Sequence, residues 1–453
     1  MKEPDGRNFW KDALERWNRL PSEEGAVTVV RGADRKRLTL RREGRVWHIL
    51  KPSEIGGGAR VIDVDLPSKA IMPAFANAHT HLDLTHVGPR PHDPADPDGF
   101  ASWIRMVIAN RATDAEAIRA SVRDGLSRSL RGGVVAVGDI AGIGRIEPVE
   151  ELRASPLAGV SFVEFFGLGE RQQATSDAMR ALAERGPVVA EGVRLGLQPH
   201  ALYSAGAGVF KAAVAHHAAH AVALSTHLAE SIEERDLLTN GRGPIRAFLE
   251  MMGMAWNEPN APSPTGMFAS RTRGERWLIA HANDVSDADI ELLRVMDASV
   301  AFCARGHAYF GHMATLGAHR WRDLLAAGVR VCLGTDSVIN LPDSQADRIT
   351  PLDDARLLFC AHRTGDAAHD ASLAKQLIDM ITVAPAQALG IKTACHQMAP
   401  GPMLGLVAVE VGEIGDREPC IAALESDAPP ELVAFSDKRS LERQGVLWAK
   451  NDA

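Results

Sequence analysis

A chain of 453 residues, 45% of them hydrophobic, can bury a large core, so one big α/β barrel or two to three ordinary domains fit its length. Its formal net charge of -8 and pI near 6.1, with no run of Lys or Arg, argue against a nucleic-acid or membrane-surface partner and leave a small molecule as the expected one. The five cysteines (Cys303, Cys332, Cys360, Cys395, Cys420) include no C-x-x-C pair, the start Met1–Asp5 is polar, and no stretch approaches the ~20 apolar residues of a spanning helix, so the expected location is the cytoplasm.

In chain order, residues 1–25 are polar, carry Trp10 and Trp17, and read as an N-terminal extension packed on something larger. From Ala26 to Leu66, β-prone runs (Val27–Val30, Val46–Leu50, Val61–Val64) alternate with turn signals such as Gly56-Gly57-Gly58, which is material for a small sheet. The apolar run Ile71–Ala76, interrupted by Pro73, reads as one buried strand leading into Asn77-Ala78-His79-Thr80-His81. Residues two apart on a strand share a face, so His79 and His81 present their imidazoles together, which is half of a metal site. Taken alone, the pair fits two unrelated loop residues equally well.

After His81 the rhythm changes. Helical stretches near 100–131 and 171–186 surround Val134–Val137 and Val160–Val163, and the alternation continues through Val193–Leu197, Ala221–Leu224, Trp277–Ala280, Ser299–Phe302 and Val329–Leu333. Eight strand candidates with helices between them predict a (β/α)8 TIM barrel over residues 71–396. Beyond a helix at about 372–389, Leu404–Val411 is β-prone again, so residues 26–70 and 397–453 are expected to form one small discontinuous β-sandwich domain from both chain ends. The Gly-, Pro- and Asn-rich stretch 240–275 is expected to be a long loop over the barrel mouth.

Barrel active sites lie at the C-terminal ends of the strands. The first strand ends at His79 and His81, the second at Asp139, the fourth runs into Gln198-Pro199-His200, the fifth ends at His227, the sixth at His281 and the eighth at Asp336, while the third carries Glu164. A single strand-end histidine is more often a hydrogen-bonded structural residue. Four imidazoles and one carboxylate on one rim (His79, His81, His227, His281, Asp336) instead make a nitrogen-rich, oxygen-completed site for Zn2+ or Fe2+. Glu230, three residues after His227, is either a helix N-terminal acid favoured by the dipole or, beside a metal, a proton shuttle. His216, His217 and His220 sit on an alanine-rich outer helix and His86 and His92 in a Pro-rich loop, and none of these is expected at the site.

His79-x-His81, Thr226-His227-Leu228-Ala229-Glu230, Ala280-His281 and Leu333-Gly334-Thr335-Asp336-Ser337, spread from about residue 70 to 395, resemble the amidohydrolase superfamily in its aminohydrolase/chlorohydrolase branch. The resemblance implies that His79, His81, His227 and Asp336 hold the metal. It implies that His281 polarises the attacking water, that Asp336 takes its proton, and that Glu230 protonates the ring nitrogen of the substrate and passes a proton to leaving ammonia. Binuclear members carry a carboxylated lysine at the end of strand four; Val193–His200 has no lysine, so one divalent ion is expected, Zn2+ ahead of Fe2+. His200 matches a substrate-contacting position. Arg305 and His307, in the loop after strand seven, are expected to hold an anionic or hydroxylated substrate group.

Phe100–Ile104, Gly138–Ile140, Glu164–Gly167 and Cys303–His312 are similar to the subgroup that includes aminodeoxyfutalosine deaminases, with Ala304 and Gly306 where members usually have proline and serine. The implied activity is a metal-dependent hydrolytic deaminase, an aminohydrolase acting on C–N bonds other than peptide bonds. Its substrate would be an amino-substituted N-heterocycle of adenine-nucleoside type, aminodeoxyfutalosine among them. Removal of another ring substituent such as halide, as in a chlorohydrolase, or opening of a cyclic amide are the alternatives. A homodimer is compatible with this reading, and no nucleic acid or membrane enters it.

Overall fold

Eight buried, mostly apolar runs lie side by side in parallel: β1 (Phe75–Thr80), β2 (Val134–Ala141), β3 (Ala158–Phe165), β4 (Val193–Pro199), β5 (Ala223–Leu228), β6 (Trp277–His281), β7 (Ser299–Phe302) and β8 (Arg330–Leu333). They are near-continuous apolar text because helices cover their outer faces and side chains fill the interior, leaving neither side for water. The strands follow one another around the barrel in sequence order, and a two-residue strand, Val189–Ala190, adds antiparallel to β4. Closure comes from the parallel bridge between Thr80 and Asp336, where the carbonyl of His79 accepts from Thr335 N at 3.0 Å and Asp336 N at 3.1 Å. The (β/α)8 barrel expected from the sequence is the observed architecture. Description covers residues 9–449 of this computed structural model except Lys11, Pro97 and Arg273, so the first eight residues of the predicted N-terminal extension lie outside the described residues.

Two sheets accompany the barrel. Val27–Arg31, Arg37–Glu43, Val46–Ile49, Val61–Asp65 and Gly401–Met403 form one; Lys69–Pro73, Gly405–Glu410 and Pro430–Phe435 form the other. Leu40, Trp47 and Met403 of the first meet Leu406, Ala408 and Val433 of the second in a shared apolar core. Both chain ends therefore contribute to both layers. Asn18 ties the N-terminal segment in: its Oδ1 accepts from Trp47 Nε1 and Phe435 N, both at 2.7 Å.

Three local expectations change. The run Ile71–Ala76 is not one strand: Lys69–Pro73 pairs with Gly405–Glu410, while β1 begins at Phe75, whose N–H bonds to Gly133. Pro73 has no N–H to continue a ladder, and the chain switches sheets directly after it. The stretch 240–275 is not one loop but carries two helices, Pro244–Met251 and Pro264–Arg271, each with proline at its first position after Gly243 or the N-cap Ser263. The helix expected at 372–389 is two helices, Ala367–Asp379 and Val383–Ala388, broken at Met380–Thr382. Among the described residues, no helix is long and apolar enough to cross a membrane.

At the N-terminal end of the barrel, Lys438 of the helix Lys438–Arg443 is fully buried, and its Nζ donates to the carbonyls of Leu152 at 2.8 Å and Leu157 at 2.6 Å, just before β3. A Cβ on Gly192, which has φ +74, would lie 2.7 Å from the lysine stem, so the chain makes room for this wedge. Lys438→Ala should leave two carbonyls without a donor and open a cavity, lowering stability by about 2–4 kcal/mol in a denaturant titration.

Candidate metal centre

The residues that converge come from four strand ends. His79 is in β1 and His81 follows it directly; His227 lies near the end of β5, His281 ends β6, and Asp336 follows β8 by three residues. All five are at most 8% exposed, deep in the mouth of the barrel. The Nε2 atoms of His81 and His227 are 3.4 Å apart, and Asp336 Oδ1 lies 3.5 Å from His81 Nε2 and 3.7 Å from His79 Nε2. A tetrahedral ion with bonds of about 2.05 Å would set nitrogen ligands ~3.3 Å apart, close to this spacing.

Hydrogen bonds select the tautomer. His227 Nδ1–H donates to the carbonyl of His200 at 3.1 Å, which leaves Nε2 as a lone pair aimed at His81. Both ring nitrogens of His79 are buried without a hydrogen-bond partner, as is His81 Nδ1. Asp336 Oδ2 accepts from Asn340 Nδ2 at 2.5 Å, which holds the carboxylate with Oδ1 toward the histidines. His79, His81 and His227 place ligand atoms within 4.8 Å of one another, as do His79, His281 and Asp336. The donor set and its orphaned nitrogens fit a divalent cation.

Burial sets the protonation states. It lowers the pKa of His81 and His227 well below the ordinary value, with neighbouring imidazoles adding to the effect, and brings His281 to about 3. The rings are therefore neutral, the form that ligates a metal. Burial pushes Asp336 up, but His79, His281 and His81 outweigh it and hold its carboxyl well below the usual range. Glu230 goes the other way. Burial, with Asp336, Glu234 and Glu233 reinforcing it, raises its carboxyl well above the ordinary value.

Glu230 Oε1 is 3.3 Å from His281 Nε2. Its backbone is held on both sides: Glu230 N donates to the buried Glu234 Oε2 at 2.8 Å, and Asn283 Nδ2 donates to Glu230 O at 2.9 Å. The residues at these strand ends are strained, with left-handed φ at Ala229 (53°), His281 (73°), Ala282 (52°) and Asp336 (55°). Residues 70–434 match the amidohydrolase family.

The chain belongs to the amidohydrolase family. Among its relatives, adenosine deaminase of Helicobacter pylori is 26% identical over 183 residues, 40% of this chain and 43% of that protein, so the chain spans under half the length of that relative. A 5-methylthioadenosine/S-adenosylhomocysteine deaminase of Natronomonas pharaonis is 26% identical over 85% of this chain and 80% of its own length. Aminodeoxyfutalosine deaminase of Deinococcus radiodurans is 28% identical over 59% and 64%. Two solved structures share the fold: atrazine chlorohydrolase from Arthrobacter aurescens complexed with zinc (TM-score 0.65, 19% identity, 92% of this chain and 98% of that one) and Helicobacter pylori aminofutalosine deaminase with methylthio-coformycin (0.63, 19%, 88% and 95%).

Around the His/Asp cluster of this amidohydrolase lies a cavity of 590 Å³, lined by His81, His200, His227, Glu230, His281 and Asp336 and walled by apolar side chains including Trp103, Val107, Phe166, Phe248 and Met252. The helix Pro244–Met251 and the residues after it thus do lie at the mouth, where the sequence placed a loop. His200 faces this cavity with its ring 4.3 Å from that of Phe166 and its Nδ1 2.5 Å from Ser204 Oγ. Arg305 and His307 do not line it. Arg305 is turned into a buried pair with Asp354 at 2.7 Å and bonds to Gln345 and the carbonyl of Thr350, and His307 packs among Phe302, His312 and His319. Both are on the short helix Ala304–Tyr309, which turns Gly306 toward the cluster instead: a Cβ there would lie 3.5 Å from Asp336 Oδ2.

Residues to which the sequence assigned no role also meet here: Asp83, Arg111, Glu234, Asn283 and Asn340. Glu234 follows the N-cap Ser231 by three residues, which reads only as a helix start, and nothing in the local text marks the others. Arg111 is merely the cap of the helix Gly99–Asn110, yet it bridges Asp83 and Glu164. Removing one imidazole should open the cation site, so His227→Ala should lower bound metal severalfold in elemental analysis while circular dichroism stays native. Gly334→Ala should do the same more mildly and cost about 1–3 kcal/mol in thermal unfolding, because its Cβ would fall 2.8 Å from His79 Cβ.

Proposed function

We propose that this amidohydrolase is a metal-dependent hydrolytic deaminase of an adenine-type nucleoside, releasing ammonia. The observation that carries the reading is Glu230: a buried carboxyl, raised well above its ordinary pKa, 3.3 Å from His281 and facing a heterocycle-sized cavity beside the His/Asp cluster. His79, His81, His227 and Asp336 would hold one divalent ion, Zn2+ in this proposal, which when bound lowers the pKa of a coordinated water from about 15.7 to about 7. Asp336, whose carboxyl lies well below the usual range, accepts a proton from the attacking water. His281, neutral and fixed through its carbonyl to His319 Nε2 at 2.9 Å, orients that water by its Nε2. Glu230, whose acid form burial favours, donates to the ring nitrogen next to the amino-bearing carbon, so that the ring accepts the oxygen; the proton gathered by Asp336 leaves with the amine as ammonia, and the added hydroxyl returns its proton to Glu230 as the ring carbonyl forms. Trp103 and Phe166 supply flat apolar walls for the base, and His200 stacks on Phe166 within reach of its polar edge.

Relatives named as adenosine, methylthioadenosine/S-adenosylhomocysteine and aminodeoxyfutalosine deaminases support an adenine-type substrate. The fold shared with atrazine chlorohydrolase supports a second reading, loss of halide from a ring carbon through the same residues. We also assign the chemistry to a barrel domain of residues 71–396, with 26–70 and 397–453 as the small β-sandwich domain, since every residue lining the cavity lies between His81 and Asp336. Zinc-loaded protein incubated with aminopurine nucleosides should release ammonia and give products one mass unit heavier; release of chloride from chlorinated heterocycles with no ammonia from the nucleosides would favour the second reading. Glu230→Gln should keep its metal and lose about 10²–10⁴-fold in kcat, and a variant at full rate would contradict the proton-transfer role.

A further inference from the structure

One part of the cavity has no role in the chemistry above. Arg111 donates to Asp83 Oδ2 through Nε at 3.1 Å and Nη2 at 3.0 Å, and to Glu164 Oε2 through Nη1 at 3.2 Å. The three side chains are 14%, 4% and 2% exposed in the order Arg111, Asp83, Glu164, and all line the cavity. Gly142 is required for this arrangement, since a Cβ there would lie 2.5 Å from Asp83 Oδ2.

The guanidinium is spent on two carboxylates, so it has no charge to offer a substrate anion. What remains open is on the carboxylates. Asp83 Oδ1 is buried with no hydrogen-bond partner, and Glu164 Oε1 has His200 Nε2 at 3.7 Å, beyond hydrogen-bond distance. A buried acceptor left unpaired costs about 1–3 kcal/mol, so the cluster calls for donors. One guanidinium holds the two carboxylates side by side, and such a pair suits a ligand with two adjacent O–H groups. A cation is disfavoured there by Arg111 itself, although Glu164, His200 and His227 bring ligand atoms within 4.8 Å. That same closeness puts Glu164 one residue away from the metal centre, where a sugar attached to the reacting base would lie. The apolar side chains of the lining, among them Trp103, Val107, Phe248 and Met252, offer hydroxyls no acceptor.

We propose that Asp83, Arg111 and Glu164 form a subsite for the vicinal diol of the substrate's ribose, with the two carboxylates accepting from its 2′- and 3′-hydroxyls. The inference rests on the nucleoside reading of the site. It makes the enzyme selective for ribonucleosides over deoxy analogues and free bases. An apolar group at the ribose 5′ position would then run along the apolar wall.

The test compares kcat/KM for adenosine and 2′,3′-dideoxyadenosine on metal-loaded wild-type protein and on Glu164→Gln and Gly142→Ala. Wild type should prefer adenosine by about ten- to a hundredfold, as loss of donors to buried acceptors demands. In both variants this preference should collapse about tenfold or more, chiefly through KM for adenosine, with metal content unchanged. A wild-type ratio near one, or equal losses for both compounds in the variants, overturns the subsite while ammonia release leaves the deaminase reading standing. Ammonia from neither compound nor from other aminopurine nucleosides overturns both.

Discussion

The site depends on how the barrel closes. The carbonyl of His79 accepts two N–H groups, from Thr335 and Asp336, and this pins the last strand to the first. Without that seam the carboxylate of Asp336 would have no fixed relation to His79 and His81, which are more than 250 residues away along the chain. Asn77 doubles the seam by bonding both the hydroxyl and the N–H of Thr335, and Gly334 permits it because any Cβ there would press on His79. The geometry of the His/Asp cluster and the closure of the fold are thus the same set of contacts.

Burial then gives those residues their chemistry. Imidazoles taken out of water favour the neutral form, and a carboxyl taken out of water favours the acid unless cations or donors face it. Asp336 and Glu230 are both buried acids, yet the histidines around Asp336 and the acids around Glu230 send their pKa values in opposite directions. Two carboxyls separated in this way can serve as a proton acceptor and a proton donor within one cavity. The left-handed residues Ala229, His281, Ala282 and Asp336 show that the backbone is bent to present them, and Glu234, Asn283 and Asn340 keep it so.

Much of this was legible in the linear text. Seven of the eight strand runs, all but the first, read directly as short apolar segments, and the residues at the strand ends could be listed before any contact was known. The strand-end rule brought out His79, His81, His200, His227, His281 and Asp336 together. It failed for Arg305 and His307, because a loop that follows a strand can turn either way and here a buried pair with Asp354 drew Arg305 outward. The sheet switch after Pro73 was equally hidden, since the apolar run on either side of it looks the same to a pattern of burial.

The sequence by itself determined the barrel, the small sheets contributed by both chain ends, and the residue types available at the rim, because hydrophobic periodicity and strand-end position are local properties. Only the tertiary structure decided that Arg111 clamps Asp83 to Glu164, that Glu234 and Asn283 hold Glu230, and that apolar side chains from the helices Gly99–Asn110 and Pro244–Met251 wall the cavity. Apart from the local Glu230–Glu234 bond, these are pairings between segments distant in sequence. Their energies come from excluding water between specific neighbours, which no local pattern records.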